Sequence, residues 1–216
     1  MSSAIDYDRL RRDELVSIGE LLGDLRPEEW DAQSLCDGWR VRDVIGHMCV
    51  GYTTPMLPML AKVARRGFNV PRASRDGSIA FGDSHRPVEL TDTLQRIARD
   101  NVRLGIARVI KPAEGLVDHV IHHQDIRRPL GRPRAVPEER LVAALGVIPG
   151  LGGFVGSKRR VAGLTLVATN VPWSAGDGPV VQGPGEAILL AASGRAVTLG
   201  ELDGDGLPTL RARLAA

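Results

Sequence analysis

For most of its length this chain spaces its apolar residues as helices do, and after Arg160 it stops doing so. In the first segment they fall at Leu10, Leu15, Ile18, Leu21, Leu22 and Leu25, one face of a helix, and Pro27 ends the run. A second helix is expected to start near Trp39 and run through VRDVIGHMCVGYTTPMLPMLAKVARR, kinked or interrupted at Pro55 and Pro58. Residues 68–87 mix glycine, proline, serine and charge without a period, and read as a long crossover loop. A third helix is predicted from Val88 to Ile110, with Leu90, Leu94, Ile97, Val102 and Ile106 inward. Pro112 suits the first turn of a fourth, Glu138–Val147 gives a shorter one, and GLGGF (150–154) breaks the pattern.

Beyond that break the texture changes. VAGLTLVAT (161–169) is short, apolar and rich in β-favouring residues, so it predicts a buried strand. NVPWSAGDGPVVQGPG supplies turns around a second short strand, and EAILLAASG (186–194) reads as a helix closed by a glycine cap. The expected architecture is therefore mainly α with a small α/β part. A helical body is expected over 1–157 and a small α/β domain over 158–216.

Bulk properties exclude several functions. No stretch approaches the roughly 20 consecutive apolar residues that span a bilayer, and the charged N-terminal segment does not read as a signal peptide. Cys36 and Cys49 form no CxxC pair, so a reducing, cytoplasmic setting is expected. Only Lys62, Lys111 and Lys158 are lysines among the 28 basic residues, a skew that GC-rich codons explain without a nucleic-acid partner. With a net charge of +2 and few aromatics among the arginines, no nucleic acid and no membrane is expected as a partner.

The chemistry-bearing stretch is DHVIHHQDIRRPLG (118–131), which holds three of the five histidines. On a helix that advances about 100° per residue, Asp118, His122 and Asp125 fall within about 60° of one another, and His119 and His123 fall about 100° and 140° from Asp118. Either Asp118/His122 or His119/His123 presents an i,i+4 ligand pair, and periodicity alone does not choose between them. WRVRDVIGHM repeats the grammar, with His47 four residues after Asp43 at the edge of an apolar face. Two such places on two helices make a three-ligand metal centre conceivable, because bundles build sites from facing helices. Trp30 and Trp39 read as core anchors, and Cys36 as a small buried residue with no histidine placed near it by the sequence.

The segments LRPEEWDAQSLCDGWRVRDVIGH (25–47), DHVIHHQDI (118–126) and VATNVPWSAGDGPVVQGPGEAILLAASGR (167–195) together resemble the mycothiol-dependent maleylpyruvate isomerase family, whose members have a DinB-like four-helix bundle and a small C-terminal domain. The resemblance implies a divalent metal, usually zinc, held by His47, Asp118 and His122. The family usually has glutamate where this chain has Asp118, one methylene shorter, which leaves His119 or His123 as alternative ligands. Asp125 is implied as the partner that orients a histidine ligand, as such ligands commonly require. Arg195 matches a position from which an arginine can face the metal and bind an anionic substrate.

The implied activity is a metal- and mycothiol-dependent transferase or isomerase. It would act on small electrophiles through a metal-bound thiolate, since coordination deprotonates a thiol that is otherwise largely protonated at neutral pH. The expected partners are a small-molecule substrate and a low-molecular-weight thiol, with the chain as monomer or homodimer. Two other classes fit the same motifs: a metal-binding or stress-response module on this fold without turnover, and a metal-dependent hydrolase.

Overall fold

The computed structural model describes residues 4–153 and 155–215, so Met1–Ser3, Phe154 of the glycine-rich break and Ala216 lie outside the described residues. The helices are α1 (Tyr7–Gly23), α2 (Val41–Thr53), α3 (Met56–Arg65), α4 (Val70–Ser84), α5 (Pro87–Asp100), α6 (Pro112–Arg127), α7 (Glu138–Val147), α8 (Ser157–Val161), α9 (Gly185–Ala192) and α10 (Leu207–Ala215). The strands are β1 (Thr165–Ala168), β2 (Ser174–Ala175) and β3 (Val180–Gly183). The chain is thus mainly α with a small sheet, as its periodicity requires.

Contacts group the residues into two compact units. One comprises 8–115 and 122–133, the other 1–7, 116–121 and 134–216. Helix α7, expected with the helical body, is grouped with the C-terminal strands, and α6 contributes residues to both units.

The first unit is organised around a core of Leu15, Ile18, Leu22, Val44, Ile45, Met48, Leu90, Leu94 and Ile97, all buried. Helix α2 begins where Asp43 turns back to accept the Arg40 backbone N–H at 2.8 Å, and Arg40 Nε at 2.9 Å. This carboxylate, one member of the Asp43/His47 spacing, is therefore spent on starting the helix. The expected second helix is interrupted at Pro55, which precedes α3, whereas Pro58 sits in the first turn of α3 without breaking it. Helix α3 buries none of its residues, and Leu57 (80%) and Phe68 (78%) stand exposed along and just beyond it.

Two expectations fail in this unit. Residues 68–87 are not a crossover loop: Asn69 accepts the Arg72 N–H at 3.0 Å, Pro71 stands in the first turn, and α4 follows through Ser84. Its inward positions are Ala73, Ser78 and Gly82, small residues that give no apolar rhythm to read. They let α4 press on α2. A Cβ at Gly46 would lie 2.5 Å from the Ser78 carbonyl oxygen, and one at Gly82 3.0 Å from that of Arg42. The third helix also ends early, at Asp100, where Asn101 adopts the left-handed conformation (φ 47°) and returns its N–H to Ile97. Val102 and Ile106 lie beyond it.

In the second unit β1 is central, antiparallel to β2 and parallel to β3, with Thr165 opposite Val180 and Ala168 opposite Gly183. VAGLTLVAT contains β1 as expected. The following turns hold two short strands where the sequence suggested one. Helix α9 is buried from Ala187 to Ala192 because its residues are apolar all round. Its Gly185 packs on Leu145 and Leu141 of α7.

Candidate metal centre

The wall of the site is α6. From Gly115 to Ile126 every residue except Asp118 is buried, so no face of this helix is a solvent face, and its histidines are sorted by their partners. His123 is fully buried and has both ring nitrogens engaged. Nδ1–H donates to Glu14 Oε1 at 2.7 Å, and Nε2 accepts from Arg127 Nε at 2.8 Å. Because arginine only donates, the tautomer is fixed, and His123 has no nitrogen to offer an ion. His119 is likewise buried, and belongs to no group of possible metal ligands among the described residues.

His122 is arranged differently. Its Nδ1 meets Asp125 Oδ2 at 2.9 Å, and the carboxylate accepts, which leaves Nε2 as the ring's lone-pair nitrogen. Across from it, His47 of α2 has Nδ1 3.3 Å from the Ser74 hydroxyl of α4, and the two imidazoles stand edge to face with centroids 5.2 Å apart. Ser74 reaches His47 because of the close α2–α4 packing at Gly46 and Gly82. Asp118 lies one turn before His122 on α6. His47, Asp118 and His122 each offer one ligand atom, and these atoms lie within 4.8 Å of one another. Two imidazoles and a carboxylate form a three-donor set of the kind that leaves a coordination position open on zinc. The residues present fit a divalent ion.

The loop before α2 borders the site, and here the expectation for Cys36 is overturned. Gly38 has φ 68°, a conformation that favours glycine, and the turn it makes sends the chain back toward α2. Leu35 N–H caps the Asp125 carbonyl at 2.9 Å near the end of α6, and Ser34 Oγ accepts the Cys36 N–H at 3.1 Å. The loop thereby carries Cys36 onto α6. Its Sγ–H donates to Asp125 Oδ2 at 3.1 Å and lies 3.9 Å from His122 Nδ1. Cys36 is half-buried and has a histidine beside it, neither of which the sequence indicated. Trp39 packs against the core as expected, but its ring also faces both site histidines, 5.1 Å from His47 and 6.5 Å from His122. Cys49, by contrast, is a core residue whose burial pushes its thiol up to about 12.

Residues 11–104 match the family model of the mycothiol maleylpyruvate isomerase N-terminal domain. That match covers the N-terminal part of the chain, short of half its length. Among solved structures, the chain is similar to a crystal structure of the mycothiol-dependent maleylpyruvate isomerase, with 19% identity over 93% of this chain and 92% of that one, and a TM-score of 0.58. It is similar to a histidine-to-alanine mutant of that enzyme at 18% identity, with the same coverage and TM-score. At such identities the likeness is one of fold, and it is the helical fold with a small C-terminal domain that the resemblance implied. No curated protein sequence matches the chain.

The remaining candidate, Arg195, belongs to the second unit. It is half-buried just after α9, and its Nη1 donates to the Ser193 carbonyl at 2.9 Å. His85, in the segment read as a loop, follows the last turn of α4, where it stacks on Phe81 at 4.1 Å.

Proposed function

We propose that the chain is a metal-dependent, mycothiol-dependent transferase or isomerase that acts on small electrophilic substrates. The observation that carries this reading is the convergence of His47, Asp118 and His122, with ligand atoms within 4.8 Å, in a chain whose N-terminal part matches the model of a mycothiol enzyme domain. These three residues would hold the ion, with zinc the metal best suited to two imidazoles and a carboxylate at a site with an open position. When bound, the ion lowers the proton affinity of a thiol, so that a thiolate is available at neutral pH.

The chain's own residues do the rest. Asp125 fixes the His122 ring through Nδ1, Ser74 holds that of His47, and Trp39 shields both from water. Arg195 is assigned the binding of an anionic substrate group, a role its fork of donors suits. The thiol partner and the cytoplasm as its location belong to the same proposal.

Two measurements test the proposal. Elemental analysis of the purified protein should find a divalent metal in about stoichiometric amount. Conversion of an electrophilic substrate should then require mycothiol. Equal turnover by metal-replete protein without any thiol would replace this reading with a metal-dependent hydrolase, and absence of both metal and turnover would leave a non-catalytic module.

A further inference from the structure

Cys36, Asp125 and His122 make a second constellation of donors, distinct in its nitrogen from the one above. The three atoms Cys36 Sγ, Asp125 Oδ2 and His122 Nδ1 are separated by 3.1, 2.9 and 3.9 Å. Asp125 and His122 are buried, and Cys36 is half-buried at the edge. A tetrahedral ion of zinc's size, with bonds of about 2.0 Å to nitrogen and oxygen and about 2.3 Å to sulfur, spaces its ligand atoms by roughly 3.3–3.5 Å, and a larger cation spaces them more widely. The three donors are within a few tenths of an ångström of that spacing, and the loop that carries Cys36 is anchored to α6 by the Leu35 N–H bond.

We propose that Cys36, Asp125 and His122 Nδ1 form an alternative position for a thiophilic divalent cation such as Cd2+, one that excludes occupation of the His47–Asp118–His122 position. On entry the cation takes the place of two hydrogens. The Cys36 thiol proton is released to solvent, and the Nδ1 proton of His122 is exchanged for one on Nε2, so that one proton leaves per ion bound. His122 then presents an N–H where it would otherwise present a lone pair, which is why the two positions exclude each other. The sulfur selects between ions: a soft cation gains from the thiolate, whereas a harder one gains more from two imidazoles and a carboxylate. Only the exclusion rests on the proposed function. The cysteine-containing position stands on its own distances.

The test is titration of the metal-free, full-length protein with Cd2+, followed by the ultraviolet charge-transfer absorption of a sulfur–cadmium bond and by equilibrium dialysis. The wild type should show the band and bind one ion. Cys36→Ser should lose the band and bind Cd2+ about tenfold more weakly or worse. His47→Ala should keep the band, and Asp125→Ala, which leaves the loop cysteine in place, should weaken it. A wild type without the band, or a Cys36→Ser protein that keeps it, overturns the proposal, and two ions bound at once overturn the exclusion. If His47→Ala still bound Zn2+ as the wild type does while the Cd2+ band remained, the His47–Asp118–His122 reading would fail and this one would survive.

Discussion

His122 and His123 are neighbours in the chain and about 100° apart on the same helix, yet they sit in two regions with opposite economies of partners. Around His123 both nitrogens are matched: a fully buried carboxylate takes one and a half-buried guanidinium gives to the other. Around His122, Nδ1 meets a carboxylate that simultaneously receives a thiol, and the ring faces a second imidazole. On the proposed function, a buried histidine is made structural or metal-binding by which of its nitrogens the fold fills. Neither exposure nor charge separates the two.

The contrast is broken or upheld most directly by removing each ring. His122→Ala should lose most bound metal, at least a hundredfold in affinity, and should also lower the unfolding temperature, because it takes the imidazole from the buried Asp125 carboxylate. His123→Ala should keep the metal but lose about 3–5 kcal/mol of stability, because Glu14 is left charged and buried beside a cavity. Isothermal titration with zinc and denaturant unfolding read the two effects, and loss of metal by a folded His123→Ala protein would abolish the distinction.

A subtler probe alters the carboxylate behind the ligand. Asp125→Asn keeps the shape but weakens the hydrogen bond that orients His122, so metal affinity should fall about 10- to 100-fold. The same zinc titration shows whether His122 depends on its partner at all. Next in size, Gly46→Ala places a methyl group against the Ser78 backbone and should cost about 1–3 kcal/mol. Its unfolding midpoint should drop, and it should disturb the His47–Ser74 pair while leaving the His123 network unchanged by chemical shift. The smallest effect is expected of Asp118→Glu, which restores the reach usual in the family. Metal affinity should stay within a few-fold of wild type or rise, whereas Asp118→Ala should lower it.

Much of this arrangement was legible before any coordinates. Pro112 marks the start of α6, Glu138 to Val147 delimits α7, and the motif resemblance brought His47, Asp118 and His122 together. The different surroundings of His122 and His123 were not legible, because α6 is buried on all sides from Gly115 to Ile126 except at Asp118 and the partner of His123, Glu14, is 109 residues away in sequence. Helix α4 was missed for a different reason. Its buried residues are Ala73, Ser78 and Gly82, and at the last two it meets α2 through backbone, which leaves no hydrophobic rhythm. Cys36 was misread because its position depends on a turn at Gly38 and on a cap given to α6, both features of the folded chain.

Helix α3 buries no side chain, while the helices on either side of it touch through glycines. The connection between them is therefore a handle rather than a strut. It can be nicked at Lys62 or Arg65 by a protease, or opened to receive an inserted sequence, with the ring of His47 and the hydroxyl of Ser74 still held together by what lies beneath. For anyone wishing to tag, split or tether this protein, the place to cut is the ten-residue helix that holds no fully buried side chain.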